Sequence, residues 1–265
     1  MNMVEENTLS QIGFKFGKNG AHSARSMMIE ELRELLFARN ESATKKEYED
    51  DVINFNILHK PTEKSRTLTF RHLVDLYGMS MDIPLFNVFR QWWELAEEAQ
   101  PMLALQLAVA RDPILRNSAS VILPLQLGEH LPRETVEQHL AKDDPERFSA
   151  ASLKSFAQNI NGTWTQAGYL EGKAKKYRIQ PKASYVNLAY ALFLSYCHGL
   201  TGQRMFDSFW CQMLSQDKEH LFELAHRASL RGLINFKQVS DIIEVTFPNI
   251  ELPDLTKSKQ QEDKE

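Results

Sequence analysis

Apolar residues recur at helical spacing along most of the chain. One such stripe lies within residues 23–39 and predicts a helix there. Thr44 stands three residues before Glu47, a capping-box spacing that predicts a second helix running to about residue 55. A proline is tolerated in the first turn of a helix because its missing N–H has no partner there. Further helices are therefore predicted to begin at Pro84, Pro101 and Pro113.

Short strands are predicted at two places only. Residues 169–170 and 175–179 flank the turn residues Glu171 and Gly172, and residues 233–236 and 241–247 form a second pair. Each pair follows a helical segment. We therefore expect a mainly α, compact multi-helix protein with helix-turn-helix or winged-helix elements and short β-hairpins.

Proline and glycine residues, which end helices and strands, divide the chain into five predicted segments. They are an N-terminal helical, helix-turn-helix-like domain (1–80), central helices (81–131), a winged-helix-like unit (132–183), C-terminal helices with a short hairpin (184–256) and a disordered polar tail (257–265).

The composition excludes some classes of protein but does not indicate a function. The chain has 265 residues, 43% of them hydrophobic, and a net charge of −4, which argues against disorder and against a protein that is basic all over. Only two cysteines occur, Cys197 and Cys211, so no disulfide framework is expected. We see no signal peptide and no apolar run of membrane length, and we expect a cytoplasmic protein without a membrane partner.

Basic residues are concentrated between positions 152 and 185, against the overall acidity. Glu171 is the only acid in this stretch. Such local concentration is the first sign of a nucleic-acid-binding surface. The six basic residues are Lys154, Lys173, Lys175, Lys176, Arg178 and Lys182.

The helix predicted over residues 149–167 has an apolar face and a polar face. At helical spacing the polar face consists of Lys154, Gln158, Asn161 and Thr165. Long hydrogen-bonding side chains on a helix that precedes a basic hairpin are typical of a recognition helix and its wing on double-stranded DNA. A solvated surface, an edge strand protected by lysines, or a protein-docking module would give the same pattern.

Two weaker basic clusters occur elsewhere. Residues 60–72 carry hydroxyls and cations near a predicted helix start, where phosphate binds readily, although an ordinary helix cap explains them equally well. The candidate contacts there are Lys60, Lys64, Ser65, Arg66 and Arg71. A third cluster of low specificity consists of Lys15, Lys18 and Arg25.

Motifs for catalysis or metal binding are missing. Residues 13–20 (GFKFGKNG) do not form a phosphate loop, because Asn19 stands where that loop needs Ser or Thr. The chain has no GxSxG, CxxC or HExxH pattern. We therefore predict no catalytic residue, no metal site, no small-molecule cofactor and no enzyme activity.

Three stretches resemble one family. They are VINFNILHKPTEKSRTLTFRHLVDLYG, LALQLAVARDPILR and FAQNINGTWTQAGYLEGKAKKYRI. Together they resemble the BrxA-like proteins of bacterial BREX (bacteriophage exclusion) defence systems, over roughly residues 20–250. The resemblance implies a compact helical protein that binds DNA without enzyme activity, beside other BREX defence proteins. The implied DNA contacts are the segment 154–178 and, second, the segment 60–71.

Two other functions fit the same residues. A scaffold subunit of a defence complex would use exposed aromatic anchors, for which the candidates are Trp92, Trp93, Phe206, Phe209 and Trp210, although we expect most of them in the core. A transcriptional regulator of its own operon would need a dimer with spaced half-sites. A basic helical surface also leaves RNA open as the ligand.

Overall fold

The fold is known from a computed structural model, which describes residues 3–142, 144–240 and 242–251. It is mainly helical, as predicted, with two small antiparallel sheets. The first seven helices are α1 (Met3–Ile12), α2 (Ile29–Phe37), α3 (Lys45–Ile53), α4 (Glu63–Tyr77), α5 (Pro84–Trp92), α6 (Gln100–Arg111) and α7 (Pro113–Ile122).

The second half of the chain mixes helices with strands. Its helices are α8 (Arg133–Ala141), α9 (Ala150–Gln166), α10 (Tyr185–Cys197), α11 (Gln203–Phe206), α12 (Phe209–Gln212) and α13 (Lys218–Leu230). Its strands are β1 (His130–Leu131), β2 (Leu170–Glu171), β3 (Lys176–Arg178), β4 (Asn235–Val239) and β5 (Ile242–Thr246). Short 3₁₀ turns occur at Ala21–Ser23 and Glu97–Ala99.

Local signals place several helix ends as predicted. The Thr44 hydroxyl accepts from the Glu47 amide, and the Glu47 carboxylate accepts from the Thr44 amide at 2.8 Å, which is a complete capping box. Helix α4 ends at Gly78, whose φ of +89° favours glycine. Pro84 and Pro113 occupy the first position of α5 and α7.

Other elements differ from the prediction. The helix predicted over 23–39 begins only at Ile29, because Met28 adopts a left-handed conformation with φ of +53°. Residues 203–212 form two short helices, α11 and α12, since the Ser208 hydroxyl caps a new start at α12. Helix α1 and strand β1 were not predicted. The predicted tail, 257–265, lies outside the described residues.

The core is centred on α6 and α10. Both are apolar on nearly every side, and every residue from Met102 to Arg111 is buried. A buried polar contact also joins them, in which the Gln106 side chain donates to the backbone carbonyl of Asn187 at 2.9 Å. Buried side chains from all four predicted segments before the tail join this hydrophobic cluster. The segments therefore pack on one another.

Strand β3 is the centre of the first sheet. It pairs antiparallel with β1, opposing Tyr177 to His130, and with β2, opposing Arg178 to Leu170. Because β2 directly follows α9, this sheet fixes the basic hairpin next to the end of that helix. Strands β4 and β5 form a separate hairpin after α13. None of the described helices is long and apolar enough to cross a bilayer.

Candidate nucleic-acid interface

Helix α9 is the element that positions the candidate interface. Ser149 caps its first turn by accepting from the Ser152 amide. On its inner face the Trp164 indole donates to the Ser118 hydroxyl of α7 at 2.9 Å and packs edge-on against Tyr169. These contacts fix the rotation of α9 about its axis.

A second anchor holds α9 against the N-terminal segment. The His22 ring lies 2.8 Å from an Asp112 carboxylate oxygen and 2.7 Å from the Thr163 hydroxyl, and all three side chains are buried. Burial opposes ionisation of Asp112, but the charge and hydrogen bonds of His22 outweigh it and hold the pKa of this carboxyl below its ordinary value. Asn159 adds a hydrogen bond to the His22 carbonyl at 3.0 Å.

The face of α9 that remains in solvent differs partly from the predicted one. Lys154 and Gln158 are exposed as expected, and Thr165 is half-buried with its hydroxyl donating to the Asn161 carbonyl at 2.7 Å. Ser155 and Gln166 are also exposed on α9. The predicted polar face omitted both residues because it was counted in steps of three or four residues from Lys154.

Asn161 was a wrong prediction, because it is only 5% exposed. It lies one turn after the buried Ala157 and three residues before the buried Trp164, so it falls on the inner face. Its side-chain oxygen is buried without a hydrogen-bond partner among the described residues. Asn161 therefore does not reach a surface ligand.

Arg178 was also wrongly predicted as a contact, since it is 3% exposed. Its guanidinium donates to the Ser215 hydroxyl at 2.7 Å and to the carbonyls of Tyr169 and Ile179, and it stacks on the Tyr169 ring. Burial lowers its pKa. Arg178 thus ties the hairpin to the segment before α13.

The remaining basic residues of the hairpin region stay in solvent. Lys173, Lys175 and Lys182 are exposed, while Lys176 is half-buried and donates to the Gly172 carbonyl. Within the described ranges, none of these four lies within 4.0 Å of a carboxylate. Their charge is therefore not neutralised by an ion pair.

The turn of this hairpin requires glycine. Gly172 has a φ of +96°, and a Cβ there would lie 2.1 Å from the Lys175 carbonyl oxygen. The close approach folds the chain back within a few residues. It places Lys173 and Lys175 together at the tip, where their charges reinforce one another.

The residues of the second basic cluster, within 60–72, differ in their exposure and in their partners. Lys60 pairs with Glu31 at 2.9 Å, and Ser65 belongs to the capping box of α4 with Thr62. These two residues therefore have structural partners. Lys64 and Arg71 are exposed and, in the described part of the chain, have no ion-pair partner, while Arg66 is half-buried.

The third cluster lies beside α9, which sequence spacing did not reveal. Lys15 pairs with Asp75 at 3.1 Å, but Lys18 and Arg25 are exposed. Arg147, just before α9, donates to the Lys18 carbonyl at 2.8 Å. The segment that carries Lys18 is thereby held against the start of the candidate interface.

Arg25 extends the positive surface toward α4. Burial lowers the pKa of His72 in α4, and the nearby charges of Arg25 and Arg71 lower it further. Both cations thus lie close enough to His72 to act on the same ring. The 3₁₀ turn at Ala21–Ser23 contacts α4, α7 and α9, so the segment that carries Arg25 lies close to these three helices.

No catalytic arrangement stands out among the described residues. His22, Asp112 and Thr163 form a chain of hydrogen bonds, but they are fully enclosed and the Thr163 hydroxyl also accepts from the Met27 amide. Burial raises the pKa of the Cys211 thiol to about 12, which disfavours a nucleophilic thiolate. No group of three or more potential metal ligands occurs in the described ranges.

The aromatic anchors of the scaffold alternative are mostly in the core, as expected. Trp92, Trp93, Phe206 and Trp210 are each less than 9% exposed, and Phe209 is half-buried. They are therefore not free to anchor a partner protein from the surface.

Comparison with known proteins adds no assignment. No model of a known protein family matches the chain, and no curated protein sequence matches it.

Proposed function

We propose that this chain is a non-enzymatic, DNA-binding component of a bacterial BREX anti-phage system. Its contact with double-stranded DNA is made by the exposed face of α9 and by the lysines of the β2–β3 hairpin. One observation carries the proposal: Lys173 and Lys175, at the tip of this hairpin, are exposed and have no carboxylate partner in the described residues. They follow a helix that presents Lys154 and Gln158 to solvent. Cations in such a position bind phosphate, and Gln pairs with base edges.

The order of the elements supports a winged-helix unit. Helix α7 is followed by β1, α8, α9, β2 and β3, with β3 between its two neighbours in the sheet. In a winged helix of this order, the third helix enters the major groove and the turn between the last two strands is the wing. In this assignment α9 is the recognition helix and residues 172–175 are the tip of the wing.

The basic residues outside this unit extend the proposed contact. Lys18, Arg25 and Arg71 are exposed, and the contacts described above hold their segments close to α9 or to one another. They would neutralise backbone phosphates on either side of the groove that α9 reads. A cytoplasmic site of action and contacts with other BREX proteins belong to the same proposal, as does the absence of a small-molecule cofactor.

A binding assay tests the proposal. A 20–30 base-pair DNA duplex, the corresponding single strand and an RNA duplex are titrated with the protein at low salt, followed by fluorescence anisotropy. We expect the DNA duplex to bind most tightly. In the variant Lys154→Glu, Lys173→Glu and Lys175→Glu, we expect its affinity to fall by at least tenfold.

A matched variant controls for net charge. Lys45, Arg204 and Lys218 are exposed and lie on other elements, so changing all three to Glu alters the total charge by the same amount. We expect this control to bind within about threefold of wild type. Equal losses in both variants would contradict the assignment of the surface, and tighter binding of RNA would contradict the choice of DNA.

A further inference from the structure

A groove between α2 and the segment after α5 combines an exposed aromatic side chain with acids. Phe37, at the end of α2, is 93% exposed. Phe37 lines this groove of about 460 Å³ together with Arg33, Glu34, the nearly buried Trp93, Glu94 and Glu97. We refer to it as the Phe37 groove. The ring of Phe37 is therefore accessible to a ligand that enters the groove.

The rim of the groove is acidic. Glu34 and Glu97 are exposed and, among the described residues, have no cation within 4.0 Å. The cation on the rim, Arg33, already pairs with Glu30 at 3.0 Å and donates to Gln100 at 3.1 Å. An approaching ligand therefore meets unpaired negative charge around an apolar floor.

The groove is preformed. Arg90 of α5 is buried and donates to the carbonyls of Leu36 and Arg39, which joins α5 to the end of α2. The same guanidinium pairs with Glu94 at 2.9 Å, and Gln100 donates to the Trp93 carbonyl. A ligand that enters such a site loses little free energy to ordering it.

We infer that the Phe37 groove binds a segment of another protein that is basic and inserts a large apolar side chain. The complementary charges select the basic segment, and the exposed ring of Phe37 supplies the kind of aromatic contact that dominates such interfaces. Nucleic acid is disfavoured here because Glu34 and Glu97 would repel phosphate. The inference is independent of DNA binding, since no lining residue belongs to the basic surface.

A peptide titration tests the inference on the full chain. The probe is a designed amphipathic helix with lysines on one face and leucines around a single tryptophan on the other. Its control carries glutamate in place of every lysine. We expect calorimetry to detect binding of the lysine peptide only, with affinity falling at least tenfold in Phe37→Ser and in the double variant Glu34→Lys, Glu97→Lys.

A matched variant and a second measurement make the test decisive. Leu230 is 87% exposed at the end of α13, so Leu230→Ser removes an exposed apolar side chain elsewhere and should leave peptide binding unchanged. Equal binding of both peptides, or unchanged binding by Phe37→Ser, would overturn the inference. A dimer in sedimentation that only Phe37→Ser dissolves would also overturn it, because the occupant would then be a second copy. Duplex DNA binding by Phe37→Ser should equal that of wild type.

Discussion

At the residue scale, Asp112 joins three parts of the structure. Its carboxylate accepts from the amides of Ile114 and Leu115, which caps α7, and from the amide and ring of His22. Gly20 lies against it so closely that a Cβ there would be 1.8 Å from a carboxylate oxygen. This one charge therefore fixes the start of α7 and the segment beside α9.

Replacing Asp112 with Asn should destabilise the fold in a pH-dependent way. The pKa of Asp112 is lowered in the folded chain, so its contribution is fully present above the unfolded value of about 3.9 and is lost as pH falls through the folded value. We expect a loss of about 3 kcal/mol at pH 7 in urea unfolding, because a buried charged hydrogen-bond acceptor is removed.

The same experiment at lower pH separates charge from packing. The difference between wild type and Asp112→Asn should narrow as pH falls below about 4, because the Asp112 carboxyl of the unfolded chain takes up a proton there while that of the folded chain is still charged. A difference that stays constant from pH 7 to pH 3 would mean that the charge of Asp112 does not contribute to stability.

At the element scale, α9 shows what tertiary packing adds to a helical pattern. The apolar face of α9 that includes Trp164 was visible in the sequence, but the contacts of Asn159 and Thr163 are with His22, which lies more than 130 residues away in the chain. They bury a second side of the helix. The solvent face is therefore narrower than the polar residues of α9 predict.

Gly162 lies within α9 without a packing reason for glycine. A Cβ there would meet only the Ser26 Cβ, at 3.8 Å, which is an ordinary contact. We expect Gly162→Ala to stabilise the protein by about 0.5–1 kcal/mol, because alanine favours the helix over the unfolded chain. Thermal unfolding should show a rise of roughly 1–4 °C in Tm. A fall in Tm would show that the α9–Ser26 contact is tighter than described.

Features that depend on residues close together in the chain were predictable from the sequence, whereas features that depend on distant residues were not. The capping box at Thr44 depends on a neighbour three residues away, so a local pattern was enough to predict it and the structure confirms it. Strand β1 is two residues long and exists because it pairs with β3, as in the pair His130 and Tyr177, far apart in the chain, which no local pattern reveals. The burial of Asn161 and Arg178 has the same cause, since both depend on distant packing partners.

At the scale of the whole molecule, the charges are unevenly distributed. The chain is acidic by four units, yet the exposed lysines around α9 and the hairpin have no ion-pair partner in the described residues, whereas Glu34 and Glu97 leave the Phe37 groove negative. Exposed charges more than about 10 Å apart are screened at physiological salt. A ligand at either surface therefore meets the local charge of that surface, positive around α9 and negative at the Phe37 groove, whatever the net charge of the chain.

The salt dependence of duplex DNA binding is the most direct test of whether the exposed lysines contact the DNA backbone. Each phosphate neutralised contributes about 0.9 to the fall of log K with log salt. We therefore predict a steep negative slope for wild type, and a slope less steep by about 2.7 when Lys154, Lys173 and Lys175 are changed to Gln. The same slope in both proteins would contradict the claim that these lysines contact the DNA backbone.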